Sequence, residues 1–488
     1  MVLFPQVFQQ AGLILPLLIL TLLTLTSALS SFLLVSSMSM MKGNERFGRS
    51  VEYSGVMRHY LSRPFFLLAF TFYQLSLLTT NISLIVQSVQ VADFAIAAAF
   101  GRSCLLPQLT PTLAFTCPPA VDYSAGGDTV FGDDRLGLPL GFFLTAAAVV
   151  PLGLIDLDDN MIVQKGAFVS LLTIVAVWAV LFVRHGLDLS YVPLTASGSG
   201  GFSSVVGVSI FNFAFLTSIP SWVNSKSHTT SIRSPIWSSL VISCTMFIVA
   251  GLLCALSFAP WTDSSTLLDK VYGLPMTFAP FARFSFYFFP IVANLTSIPV
   301  NSIFQRLNLV EQGYHRHLST LVAVALPWLI AVFLYAGSGY DELVTWSGVC
   351  VTSVVNFIIP PTVYIIARRR WQRERREEVE RIERAKEAGG EEVLAGQVLA
   401  DGEEEVEAEG SVQYGGGVVS DIGLPTPAVD EVDGDKQQSW ESVSDRVWRV
   451  LPKRYERFEL PLSVGVLLLM SALCGLTFVV NVQQAVAS

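Results

Sequence analysis

LILPLLILTLLTLTSALSSFLLVSSM, residues 13 to 38, carries no charged side chain over 26 positions, and a helix needs roughly 20 apolar residues to cross the hydrocarbon layer of a bilayer. Nine more apolar runs follow, at 65–91, 139–155, 162–183, 204–223, 236–258, 281–304, 318–335, 343–367 and 460–481. Hydrocarbon supplies no partner for backbone N–H and C=O groups, so each run must satisfy them internally as a helix. The chain reads as an all-α, multi-pass integral membrane protein whose first partner is the lipid bilayer.

Of 488 residues, 52% are hydrophobic and 14% charged, against about 25% charged in an average soluble domain. The formal charge of −9 has a local origin. Residues 389 to 438 hold 13 acidic side chains and one Lys, a balance of −12 that leaves the rest at +3. No basic stripe with interleaved aromatics remains, so nucleic acid is not an expected partner. Cys244, Cys254, Cys350 and Cys474 lie in apolar runs, where Cys behaves as a small hydrophobe. Cys104 and Cys117 share one polar loop and have two readings, a disulfide in an oxidising compartment or a pair of free thiols.

Basic residues accumulate on the cytoplasmic side of membrane proteins. Lys42, Arg46, Arg49, Arg58 and Arg63 fill one loop, Lys226 and Arg233 another, Arg306 and Arg316 a third, and Arg368 to Arg370 open an insertion; the alternate loops are poorer. These basic segments are expected in the cytoplasm. The domain plan that follows is a transmembrane core over 1–367, a cytoplasmic helical extension over 368–388 and a disordered acidic linker over 389–438. An amphipathic interfacial segment over 439–459 and a last span with a short outer or lumenal tail over 460–488 complete it. Within the extension Glu377 and Arg381, and Glu380 and Arg384, stand four apart in the favourable order. The linker has too few apolar residues to order itself. Trp440, Val443, Val447 and Leu451 recur at helical spacing before Lys453, Arg454 and Arg457, as in a helix lying on a membrane surface. Residues 368–459 are also the place for cytosolic partners.

Two spans are interrupted by polar residues and proline. In the first, Asn212, Phe213, Ala214 and Phe215 precede Thr217, Ser218 and Pro220; in the second, Asn294, Thr296 and Ser297 precede Pro299. Each has two readings. Freed backbone at mid-membrane can hold a substrate carboxylate, ammonium or cation, and hydroxyl and carbonyl oxygens suit a hard cation such as Na⁺. Alternatively the spans are kinked helices whose Ser and Thr bond their own turn or a neighbouring helix. Thr79, Thr80, Asn81 and Ser83 form a third polar patch, read as packing or pore lining. Asp93, Arg283 and Glu342 fall near span ends, and Asp156, Asp158 and Asp159 crowd a turn expected to cap the next helix. The five His residues sit in loops or at span ends, no metal-ligand spacing appears, and SGSGG at 197–201 lacks the lysine of a phosphate loop. No nucleophile with a base is recognisable, so an enzyme is not expected and no cofactor is called for.

MVLFP-x-x-FQQAG at 1–12, SIFNFAFLTSIPSWVNSKS at 209–227, FFPIVANLTSIPVNSIFQRLNLVE at 288–311 and IIPPTVYIIARRR at 358–370 together resemble the amino acid/auxin permease (transmembrane amino acid transporter) family of the amino acid–polyamine–organocation superfamily. The resemblance implies a LeuT-type inverted-repeat helical bundle of about eleven helices, with residues 1–12 as the surviving half of a truncated first helix. It implies substrate contact by Phe213, Ala214 and Phe215 in an unwound middle, with Asn212 and Thr217 beside them. It also implies an ion site at Asn294, Thr296 and Ser297. The expected function is secondary active transport of neutral amino acids by alternating access, coupled to H⁺ or Na⁺, in a vacuolar, lysosomal or plasma membrane. The rival expectation is a non-transporting amino-acid sensor, or an inactive isoform of the same fold, signalling through the insertion.

Overall fold

The computed structural model describes residues 4–107, 115–117, 129–131, 137–154, 157–195, 200–227, 230–260, 279–335, 343, 346–387 and 448–487. Two units divide the chain, Met1–Ala367 with Trp448–Ser488, and Arg368–Val447.

In the first unit the helices are α1 (Phe4–Ala11), α2 (Ile14–Ser39), α3 (Tyr53–Tyr60), α4 (Arg63–Phe100), α5 (Leu140–Leu154), α6 (Leu157–His185), α7 (Gly200–Asn212), α8 (Ile219–Ser225), α9 (Arg233–Ser257) and α10 (Ala279–Glu311). Then come α11 (Arg316–Phe333), α12 (Ile359–Glu387), which runs on into the second unit, and α13 (Glu459–Ala487). Among the described residues nine helical stretches are long and apolar enough to cross a membrane. The run at 139–155 is the exception: α5 has 15 residues, because β2 (Gly137–Pro139) directly precedes it and pairs antiparallel with β1 (Leu105–Pro107). Leu18, Phe65, Ile162, Val169, Leu329 and Leu468 remain exposed on the outer helix faces, which suits a bundle surrounded by hydrocarbon. The structure bonds Cys104 to Cys117 across the loop after α4, which names that end of the bundle; the opposite, basic end carries Lys42, Arg49 and Arg58.

Helix α4 packs against α5, α10 and α11, and α10 also packs against α6. Trp178 of α6 is buried there, its indole N–H donating to Ser285 Oγ at 2.8 Å and its ring stacked on Phe286 at 4.3 Å. On the other side α1 lies so close to α9 that a Cβ on Gly251 would sit 2.8 Å from Phe4 Cβ and 3.1 Å from Phe8 Cε2. Gly251→Leu is therefore expected to cost about 1–3 kcal/mol by overpacking, read as a lower denaturation midpoint in detergent; an unchanged midpoint would show that this approach is not needed.

Two proline-linked irregularities shape the core. Pro360 and Pro361 have no N–H to close α-helical turns on Asn356 and Phe357, and the preceding residues form two π-helical turns, Gly348–Thr352 and Val354–Ile358. Pro327 likewise follows a π-turn at Leu321–Ala325. Such turns are wider than α-helix and are frequent at functional sites.

The described part of the 439–459 segment is docked on the bundle. Trp448 C=O accepts from Ser36 Oγ at 3.0 Å and its ring packs on Phe32, while Arg233 donates to the carbonyls of Arg449 and Val450. Glu459, 2% exposed, accepts from Leu451 N and Tyr364 O–H. The chain enters α13 through contacts with α2, α9 and α12, rather than from a free surface helix. Residues 440, 443 and 447 and the linker 389–438 lie outside the described residues.

In the second unit the helix continues to Glu387. Glu380 and Arg384 pair at 3.2 Å and Arg370 and Glu374 at 2.9 Å, all at least partly exposed. Exposed pairs of this kind contribute about 0.3–0.5 kcal/mol each, enough to favour helix but not to build a core.

Candidate functional site

The span at 204–223 is two helices with a break between them. α7 ends at Asn212, residues 213 to 215 are non-helical, Leu216–Ser218 forms one tight turn, and α8 begins with Pro220 in its first turn. Proline suits that place because its missing N–H would have no partner there anyway. Inside hydrocarbon the freed backbone needs other partners. Phe213 N donates to Ser209 O at 3.1 Å, and Ser218 N and Oγ both donate to Phe215 O. Leu216 N donates to Asn356 Oδ1 at 3.0 Å, and Ser27 Oγ lies 3.5 Å from Phe213 O. Asn356 is itself held by Nδ2 donating to Thr352 O at 2.9 Å.

Phe4 of α1 lies at the level of this break. The Phe247 ring of α9 is stacked by Phe4 at 4.9 Å and met edge-on by Phe213 at 5.7 Å. Ser30 Oγ, one turn beyond Ser27, and Ser209 Oγ, one turn before Phe213, are buried without a partner. The break and two unused hydroxyls thus sit along one stretch of the bundle interior.

The predicted substrate residues occupy this region unequally. Phe213 is 1% exposed and packs on Phe247; Thr217 is buried; Asn212 turns its amide back to Val208 O at 2.8 Å; Ala214 and Phe215 are half-buried. Of this set, Phe215 lines a cavity beside the break. It has a volume of about 340 Å³ and extends from Phe215, Ser218 and Trp222 to Gln164 of α6, Ser239 of α9 and Phe304 of α10. That volume falls in the range of small-molecule sites, and among the described residues that line it none has an ionisable side chain.

The predicted ion residues use their hydroxyls locally. Thr296 Oγ1 donates to Ala293 O at 3.1 Å and Ser297 Oγ to the same carbonyl at 2.8 Å, while Asn294 Nδ2 reaches Leu84 O at 3.4 Å. None of the three lines the cavity. Of the third patch, Asn81 crosses to α10, donating to Ser302 Oγ at 3.1 Å. Among the described residues no group of three His, Cys, Asp or Glu side chains could hold a metal ion.

Asn356, Ser27, Ser30 and Ser209 escaped the sequence reading. The available signal for Asn356 was a lone amide in an apolar run just before Pro360 and Pro361. No family model matches this chain, and no characterised protein matches it in sequence.

Proposed function

We propose that this protein is a secondary active transporter of the amino acid/auxin permease kind, moving neutral amino acids by alternating access on a LeuT-type scaffold. The coupling ion in this reading is H⁺ or Na⁺, the membrane vacuolar, lysosomal or plasma, and no enzymatic chemistry is involved. The observation that carries it is the break at residues 213 to 218. It is backed by Asn356 and opens at Phe215 and Ser218 onto a cavity whose described lining residues are all uncharged. Freed carbonyls attract an ammonium, and the N-terminus of a half-helix attracts a carboxylate. With an uncharged described lining beside them, these groups suit a zwitterion whose own side chain is uncharged.

Full-length protein in liposomes is expected to take up labelled neutral amino acids under an imposed H⁺ or Na⁺ gradient. Filling the cavity by Ser218→Phe should cut uptake at least tenfold without a matching loss of folded protein. No uptake of any amino acid under either gradient would sink the proposal.

The sensor reading has one structural feature in its favour. The returning end of the insertion is clamped on α2 and α9 at Trp448 to Val450, and α9 also lines the cavity through Pro235, Ile236 and Ser239. A sensor predicts cytosolic proteins captured by residues 368–459 in an amino-acid-dependent manner; capture independent of amino acids argues against it.

A further inference from the structure

At the basic end, Glu52 precedes the first turn of α3 and is half-buried between α3, α8 and α10. Its Oε2 accepts from Ser221 Oγ and its Oε1 from Asn224 Nδ2 at 3.2 Å, both donors belonging to α8. Asn224 also exchanges two bonds with the Val51 backbone, at 3.3 and 3.1 Å. These contacts join the short helix beyond the break to the α3 loop.

A second carboxylate stands beside the first. Glu311, at the end of α10, accepts from Glu52 N at 3.1 Å and from Ser54 Oγ at 2.6 Å, and a Cβ on Gly55 would collide with it. Neither Glu has an ion-pair partner among the described residues. Facing the pair are Tyr53 of α3 and Tyr73 of α4, stacked at 5.0 Å, Tyr53 donating to Val355 O and Tyr73 accepting from Asn308 Nδ2. α8 contributes no ionisable side chain. Cations of the neighbouring segments make other contacts: Arg49 donates to Lys42 O, Arg58 to Gln312 Oε1 and Arg306 to Leu154 O, and Lys226 lies over the Phe47 ring.

Above this cluster the α4–α10 interface holds buried amides with unused atoms. Gln305 Oε1, Asn81 Oδ1 and both polar atoms of the Gln74 amide have no partner, and Gln305 and Asn81 are 1% and 0% exposed. Buried polar atoms of this kind are commonly bridged by internal water. From Asn308, which accepts from Ser54 N, to Ser302 is about 9 Å along the helix at 1.5 Å per residue. The amides therefore extend the polar contact from Glu311 toward mid-bundle.

We propose that Glu52 is a proton-binding latch: ionised, it holds α8 to α3 through Ser221 and Asn224, and on taking up a proton it releases that half-helix. Charge-assisted hydrogen bonds are about twice as strong as neutral ones, so protonation weakens the two that depend on Glu52 and spares those to Val51. Burial pushes the Glu52 carboxyl above the ordinary glutamate value and the Glu311 charge adds to it, against the lowering by Ser221 and Asn224. The coupling role of the latch rests on the transport reading, since α8 borders the cavity through Ile219, Trp222 and Ser225; the latch itself does not.

The test is a nitroxide on Ser225→Cys in the full chain in nanodiscs, with Cys244 and Cys350 changed to Ala, and its mobility followed from pH 8 to pH 4. The expected result is a mobile fraction that rises on acidification with a midpoint above that of ordinary glutamate. The transition is lost in Glu52→Gln and moved to lower pH in Glu311→Gln, which removes the neighbouring charge. Should Glu52→Gln fail to fold, the Glu311→Gln shift carries the test. A transition unchanged by both substitutions, or none at all, overturns the latch. A Glu52-dependent transition in protein that shows no uptake supports the latch and counts against the transport reading; pH-dependent uptake without the transition does the reverse.

Discussion

Asp93→Ala is expected to be the most destabilising single substitution in the bundle, costing roughly 3–6 kcal/mol, since each buried donor left unpaired costs about 1–3 kcal/mol. Asp93 is fully buried near the end of α4. Its Oδ1 accepts from Ser103 Oγ at 3.0 Å and from Gly141 N at 2.9 Å, and its Oδ2 from Tyr335 O–H at 2.8 Å. One carboxylate thereby ties α4 to the loop before the disulfide, to the chain just past α11 and to the first turn of α5, where the helix dipole favours an anion. Asp93→Asn keeps one acceptor oxygen and should lose about half as much. Tyr335→Phe removes a single donor and should lose about 1 kcal/mol. The order Ala, Asn, then the tyrosine change is read from denaturation midpoints in detergent. An Ala variant within about 0.5 kcal/mol of the parent, the range of neutral surface changes, would show that the three donors find other partners.

Asp93 also shows where sequence reading reached its limit. The second apolar run stops at residue 91 because a charge follows two positions later, yet α4 continues to Phe100. Hydropathy penalises a carboxylate at that depth, and only the fold reveals the three donors that offset it. The helices themselves were legible because a bilayer requires long apolar stretches whatever their neighbours. At 213 to 218 an interruption was legible, since Pro220 and the hydroxyls around it are local signals, but break and kink stayed open readings until the fold showed the break. Thr296 and Ser297 illustrate the intermediate case: the sequence shows hydroxyls before a proline but not which carbonyl each hydroxyl faces, and both turn to their own helix. Glu52 was hidden among basic loop residues that marked only the cytoplasmic side, because its partners Ser221 and Asn224 are far away in sequence. Long-range partner choice, more than element type, is what one chain without its fold does not display.

Asn356→Leu should both destabilise the protein and disable the break. The side chain is 1% exposed and makes one bond in each direction, accepting from Leu216 N and donating to Thr352 O. Leu has a similar size but can make neither bond, so the Leu216 N–H is left unpaired in a region that offers no water, at about 1–3 kcal/mol. That N–H lies in the turn between α7 and α8, so the break should relax toward continuous helix or a different turn and no longer present its carbonyls as it does now. Under the transport reading, uptake per folded molecule is expected to fall at least tenfold, with KM raised if the substrate site itself is displaced. Asn356→Asp keeps an acceptor for Leu216 N but buries a charge with two donors fewer than Asp93 has, and should be worse than Leu for stability. Thr352→Val is the matched comparison: it removes only the hydroxyl contact to Ser76 Oγ at 3.3 Å and leaves the Thr352 carbonyl in place, so it should spare uptake. If Asn356→Leu and Thr352→Val gave equal uptake per folded molecule, the amide would be packing the π-helical turn rather than holding the break.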